Sequence, residues 1–228
     1  MYTVKFYKGD YSKRQNDANQ DKAVAYVEHH FNSFTATSNY AVVITGSNAS
    51  TTSKNWGRWY AREVAEHFGI PVGGDNGIKV GGFGGRGDGS IKHTDMPAVL
   101  LEPLFASNPQ HAEIIRSESG QSALAQILVE SIRRFFPDGG LIAFSVGHKY
   151  KDSSPHDRGA PLAGRGNEAD FAEKVLEKAQ ALLLAADHPA EGRIVRVMQG
   201  DTLLFEKRID EDAVVTWSSG RDLLFIPE

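Results

Sequence analysis

Apolar residues along the chain alternate between two spacings. Short apolar runs rich in β-branched residues recur at 2–7, 23–30, 41–45, 97–102 and 141–147, and runs of this length read as buried strands. Longer stretches with helical spacing lie between them. A helix capped by Ser12 is predicted over roughly 13–22. Residues 53–68 place Trp56, Trp59, Tyr60, Val64 and Phe68 largely on one helical face. Helices also fit 108–117 and 121–136, the second with an apolar stripe that includes Leu124, Leu128 and Ile132. After a polar loop over 148–167, Asn167 can cap a helix from Glu168 to about Ala186. Strands alternating with helices across 1–186 argue for an α/β fold, a mostly parallel twisted sheet with helices on both faces.

Two stretches break this rhythm. After residue 188 the pattern changes to short alternating runs at 194–198, 203–207, 214–217 and 223–226, with Gly200-Asp201 suited to a hairpin turn. The chain therefore divides into a main domain over 1–187 and a small β-rich appendage over 188–228, whose plainest role is to cover a sheet edge. The other break is the glycine-dominated run from Gly73 to Gly89, which reads as a mobile surface loop. Its Gly82-Phe-Gly-Gly-Arg-Gly87 matches a dinucleotide fingerprint in letters only, because no clear strand precedes it and no helix follows.

Composition narrows the chemistry. With 228 residues, 40% hydrophobic and 24% charged, the chain is long enough to bury a sizeable core. A formal net charge of −4 supplies no electrostatic case for nucleic acid. Cysteine is absent, so disulfides and thiolate metal sites are excluded, and any metal must be held by His, Asp or Glu. Residues 1–20 carry Lys5, Lys8, Lys13 and Arg14 without an uninterrupted apolar core, so they do not read as a signal peptide. No apolar run approaches the ~20 residues of a membrane span.

In α/β proteins, polar groups at the C-terminal ends of buried parallel strands build the sites. His30, Glu102 and His148 end predicted strands, and Glu168 opens a predicted helix. Two imidazoles and a carboxylate are a recurring catalytic zinc set, with a further carboxylate free to act as base on water. Plainer readings stand beside this one. His29 and His30 point to opposite faces of one strand, so at most one faces a site. Glu102 also reads as a strand-end carboxylate in water, and Glu168 as a helix N-terminal acid favoured by the dipole. His148, Asp152, His156 and Asp157 share one loop that holds a different metal site or none. His67, His93, His111 and His188 read as surface residues.

The motifs around these residues resemble the zinc-dependent N-acetylmuramoyl-L-alanine amidases of the amidase-3 type. Val27-Glu-His-His-Phe-Asn-Ser33 is similar to the family's strand ending in His-x-Asn, and Met96-Pro-Ala-Val-Leu-Leu-Glu-Pro-Leu-Phe-Ala-Ser-Asn108 to its Pro-Ala-Val-Leu-x-Glu segment. The run from Leu141 to His148 resembles the family's Gly-His strand, and Glu168-Ala-Asp170 the start of its first helix. The order is unusual, since the Gly-His strand and its helix come first in the family and here occupy 141–186. A circular permutation with a new link at Pro137-Asp-Gly-Gly140 is the simplest account, and a domain-swapped dimer the alternative. Two motifs depart from the family. Its Pro-Gly-His-Gly-Gly reads Val146-Gly-His-Lys-Tyr150, without the glycine turn, and its Gly-Phe after the glutamate reads Leu104-Phe105 behind Pro103.

The resemblance implies Zn2+ held by His30, Glu168 and His148, with Glu102 as the catalytic base. It also implies a peptidoglycan substrate, cut between N-acetylmuramic acid and L-alanine of the stem peptide. No nucleic acid or membrane insertion is expected. A related zinc peptidase acting on another amide, or a non-catalytic cell-wall-binding module, are the alternatives. The expected place of action is the cell wall, reached by phage-lysin-type release from the cytoplasm or with a leader already removed.

Overall fold

The structure, a computed structural model, describes residues 1–185 and the strands 193–199 and 202–209. The chain divides into two compact units, Met1–Leu184 and Ala185–Glu228. In the second unit, β7 (Arg193–Gln199) pairs antiparallel with β8 (Thr202–Ile209), with a register shift between Val197 and Met198. The predicted turn at Gly200-Asp201 and the predicted strands at 214–217 and 223–226 lie outside the described residues, as does His188.

The first unit is built on a six-stranded sheet. Its strands are β1 (Tyr2–Phe6), β2 (Ala25–His29), β3 (Val42–Thr45), β4 (Ile78–Val80), β5 (Ala98–Glu102) and β6 (Gly140–Val146), in spatial order β1-β6-β2-β5-β3-β4. Every neighbouring pair is parallel except β3 with β5. This is the expected mostly parallel α/β sheet, and β2, β3 and β5 are buried almost throughout because both of their faces are covered.

The period-2 alternation of the strands assigns side chains to two cores. Ala25, Val27, Val99, Leu101, Ile142 and Phe144 face the larger core. There they meet α2 (Thr51–Phe68), α3 (Pro109–Arg116), α4 (Glu118–Phe135) and α5 (Glu168–Ala185), whose apolar faces include Trp56, Ile115, Leu128 and Val175. Tyr26, Leu100 and Ala143 face the smaller core, covered by Ala18 of α1 (Tyr11–Gln20) and by Ile91. Ser50, Asn108 and Ser117 cap α2, α3 and α4 through their side-chain oxygens, so local chemistry sets these helix starts. Among the described residues no helix is long and apolar enough to cross a membrane.

Three sequence expectations need correction. The first helix starts at Tyr11 with Asp10 at its N-cap, so Ser12 lies inside it and caps nothing. The glycine-rich run is built into the fold instead of looping free. Its Ile78 is fully buried in β4, and Gly87 rests so closely on Ile44 that a Cβ would collide with it. His111 is 3% exposed and not a surface residue; its Nδ1 accepts from the Phe105 amide at 3.0 Å, and its Nε2 meets Asn39 Oδ1 at 2.9 Å. It pins the loop after β5, whereas His67 and His93 are exposed as expected.

His29, on the larger-core face, is fully buried against the edge of Phe31, and neither ring nitrogen has a partner. Burial, aided by neighbouring His30, pushes its pKa down to about 3 from the usual 6.5. The unfolded chain therefore takes up a proton at this position first, and stability from His29 is lost as pH falls below 6.5. Relative to wild type, His29→Leu is expected to gain about 2 kcal/mol more at pH 5 than at pH 8. Urea unfolding of the metal-free proteins at the two pH values measures this difference.

Candidate metal and hydrolytic site

The site forms where three adjacent parallel strands end. In β2 the positions facing the smaller core are Tyr26 and Glu28, and His30 follows in the same sense. In β5 they are Ala98, Leu100 and Glu102, and the β2–β5 pairing of Glu28 with Leu100 carries on to bring His30 beside Glu102. On the other flank the β2–β6 pairing sets Glu28 opposite Ser145 and His29 opposite Val146, so the turn at Gly147-His148 closes over His30. A Cβ at Gly147 would overlap the His30 ring, and this bare backbone lets the imidazole lie flat against β6.

Glu168 arrives from the first residue of α5, its amide donating to Ala160 O at 2.9 Å. Its carboxylate is 3% exposed. Oε1 lies 2.7 Å from His148 Nε2 and 3.4 Å from His30 Nδ1. Gly159, at φ +69°, passes so close to this carboxylate that any side chain there would displace it. His30, His148 and Glu168 each offer a ligand atom within 4.8 Å of the others, the one such grouping of three among the described residues. With metal–ligand bonds of about 2.0–2.1 Å, a tetrahedral ion needs donor atoms roughly 3.3 Å apart, and the two spacings to Glu168 bracket that value. The donor set of two imidazoles and a carboxylate thus fits a zinc-type ion. His156 and Asp152 are exposed and take no part in this cluster.

Charge follows from the geometry. Burial alone would depress His30, but hydrogen bonds to Glu168 and Glu28 prevail and hold its pKa well above the usual 6.5. Burial would raise Glu168, yet His148 and His30 outweigh it and keep the carboxyl below the usual range. Glu102 is a different case. Its Oε2 is enclosed without a hydrogen-bond partner, and burial, opposed by His30 and reinforced by Glu168 and Glu28, pushes its pKa up to about 8. A carboxyl poised near neutrality beside a ligand cluster suits proton transfer, and a cation held next to it favours its ionised form.

Two further carboxylates join the cluster that sequence reasoning did not assign to it. Glu28 Oε1 lies 2.8 Å from His30 Nε2, and Asp157 lies 3.0–3.1 Å from His148 Nδ1. Glu28 was in principle detectable, being two residues before His30 on one strand and so on the same face. Asp157 carried no such signal, because nothing in a loop's sequence says which way it folds back. His148 and Tyr150 occupy left-handed backbone at φ 63° and 64°. Non-glycine residues in such conformations cost on the order of 1 kcal/mol each. Arg14 donating to Lys149 O, Gly9 N donating to Tyr150 O at 2.9 Å, and Glu173 binding both Lys149 and Tyr150 offset that cost.

A folded-state Glu102 pKa above the ordinary 4.5 means that its contribution to stability is present below pH 4.5 and lost as pH rises toward 8. In the metal-free protein, Glu102→Gln is expected to match wild type at pH 4.5. At pH 8.5 it should be more stable by up to about 5 kcal/mol, measured by denaturant unfolding.

The chain is similar to known proteins over its first part. The profile of the Amidase_3 family, N-acetylmuramoyl-L-alanine amidase, matches residues 3–134. That span holds His30 and Glu102 and stops before His148 and Glu168. Among solved structures, the catalytic domain of CwlV, an N-acetylmuramoyl-L-alanine amidase from Bacillus (Paenibacillus) polymyxa var. colistinus, is 27% identical with a TM-score of 0.47. An N-acetylmuramoyl-L-alanine amidase from Clostridium difficile 630 is 22% identical with a TM-score of 0.48. Each match covers 56% of this chain and 66% of the other, just under two thirds of those chains. No curated protein sequence matches. With more than half of its 228 residues matched by that profile, the chain belongs to the N-acetylmuramoyl-L-alanine amidase family.

Proposed function

We propose that this chain is a zinc-dependent peptidoglycan amidase that hydrolyses the amide between N-acetylmuramic acid and L-alanine of the stem peptide. The observation that carries this reading is the meeting of His30, His148 and Glu168 at one point, with Glu102 beside His30, in a chain of this family. His30, His148 and Glu168 would hold the ion, leaving a fourth position open. Zinc, when bound, supplies positive charge that polarises an amide carbonyl and acidifies water. Glu102 takes a proton from the attacking water and returns it to the nitrogen of the leaving L-alanine. Its partly enclosed position keeps that proton from exchanging freely with solvent. Residues 1–187 form the catalytic domain in this reading, 188–228 an accessory segment, and the cell wall is the place of action.

The circular permutation belongs to the same proposal. Its support is that β6 and α5, which follow the family match, carry two of the three converging groups, and that β6 sits between β1 and β2 in the sheet.

Zinc-loaded protein incubated with insoluble peptidoglycan is expected to release new free L-alanine amino termini, read by mass spectrometry, while glycan chains stay intact. Glu102→Ala should lower the rate by about 10²–10⁴-fold with zinc still bound. His30→Ala and His148→Ala should each lose the metal. New termini at another residue would make the enzyme a peptidase, and zinc binding without any cleavage would favour a wall-binding module. For the permutation, a chain opened between Asp138 and Gly139, with Glu228 joined to Met1 by a flexible linker, is expected to fold and bind zinc within a few-fold of wild type. Failure of that chain to fold would show that the 137–140 link is indispensable.

A further inference from the structure

Each ligand imidazole has its second nitrogen on a carboxylate that is not itself a ligand. Glu28 receives His30 Nε2 at 2.8 Å, and Asp157 receives His148 Nδ1 at 3.0 Å. The two supports are built differently. Glu28 is fully buried in β2, and its other oxygen accepts from Ser145 Oγ at 3.0 Å. Ser145 in turn accepts from fully buried Arg14 at 2.8 Å, so that support is continuous with the sheet and with α1. Asp157 sits in the loop between β6 and α5, held by the Gly159 amide at 2.9 Å and by Lys151 Nζ at 2.7 Å.

Glu28 and Asp157 each accept from a further donor, Ser145 Oγ and Lys151 Nζ, so the ring nitrogen on each carboxylate is engaged there and turned away from the cluster. The other two nitrogens, Nδ1 of His30 and Nε2 of His148, turn toward Glu168 Oε1, so these are the atoms that would face a cation held with that carboxylate. The geometry points to Glu28 and Asp157 as positioning residues for the metal. They fix opposite tautomers in the two ligands, so that His30 binds through Nδ1 and His148 through Nε2. Asp157 matters more for occupancy, because His148 sits on a left-handed loop residue with no strand to hold it. The inference rests on the metal site of the proposed function and concerns neither the substrate nor the base.

The test uses the full chain and zinc affinity, measured by competition with a chromophoric chelator. Asp157→Ala is expected to weaken zinc binding about 10- to 100-fold. Asp157→Asn, whose amide oxygen still accepts from Nδ1–H, should weaken it less. Ring nitrogen-15 NMR of the zinc-loaded wild type should show one histidine metallated at Nδ1 and one at Nε2. Zinc affinity of Asp157→Ala within twofold of wild type, even with a lowered melting temperature, would make Asp157 a merely structural residue and overturn the inference. So would both histidines binding through the same nitrogen. Wild type that binds zinc but leaves peptidoglycan intact would sink the proposed activity and leave this inference standing. Wild type that binds no zinc would sink both.

Discussion

A carboxylate enclosed as fully as Glu168 persists in its charged form only if positive or donating groups surround it. Most of the site's geometry answers that requirement. His30 and His148 both turn a nitrogen to the same oxygen, which demands that β2 and β6 be neighbours and end at the same level. The close approach in turn demands bare backbone at Gly147, under the His30 ring, and at Gly159, beside the carboxylate itself. Without an ion these groups satisfy one another as hydrogen-bonded partners. The same arrangement is a nearly complete set of donors for a cation.

The two faces of the sheet divide the labour. Four helices cover one face over an apolar core, and His29, which points there from β2, is held neutral and unpaired by burial. On the other face the ends of β2, β5 and β6 carry Glu28, His30, Glu102 and Ser145. Arg14, Ser145, Glu28 and His30 form one buried hydrogen-bonded chain leading to Glu168. Removing one member of such a chain leaves another charge uncompensated, a loss that typically costs about 3–5 kcal/mol. Helix α1, weakly apolar and short, is kept by this network: Arg14 from its second turn binds the carbonyls of Gly9, Val146 and Lys149 as well as Ser145. The site and the seating of α1 therefore share one set of interactions.

The order of elements along the chain matters less than their pairing. β6 lies between β1 and β2 although it follows them by more than a hundred residues, because registers and side-chain faces recognise a neighbour in space. This permits the cluster of His30, His148 and Glu168 to be split between a segment that the family profile covers and one beyond it. The cost shows at His148 and Tyr150, where left-handed backbone is held without glycine by contacts from Gly9, Arg14 and Glu173.

Local pattern alone determined five of the six strands of the main sheet, most helix limits and the face on which their residues lie, because alternation and capping act between near neighbours in sequence. It was enough to single out His30, Glu102, His148 and Glu168 as groups at strand ends or a helix start. It misjudged the glycine-rich run and His111, since their order comes from β3, the sheet surface and Asn39, none of which is nearby in the chain. Only the tertiary structure decided which acids stand behind His30 and His148, that His29 lies in the core and His30 in the candidate site, and which ring nitrogen of each imidazole faces Glu168. Those outcomes depend on contacts spanning up to more than a hundred residues, such as Ser145 on Glu28, whose partners are selected by strand order and loop path. Neither leaves a trace in local spacing.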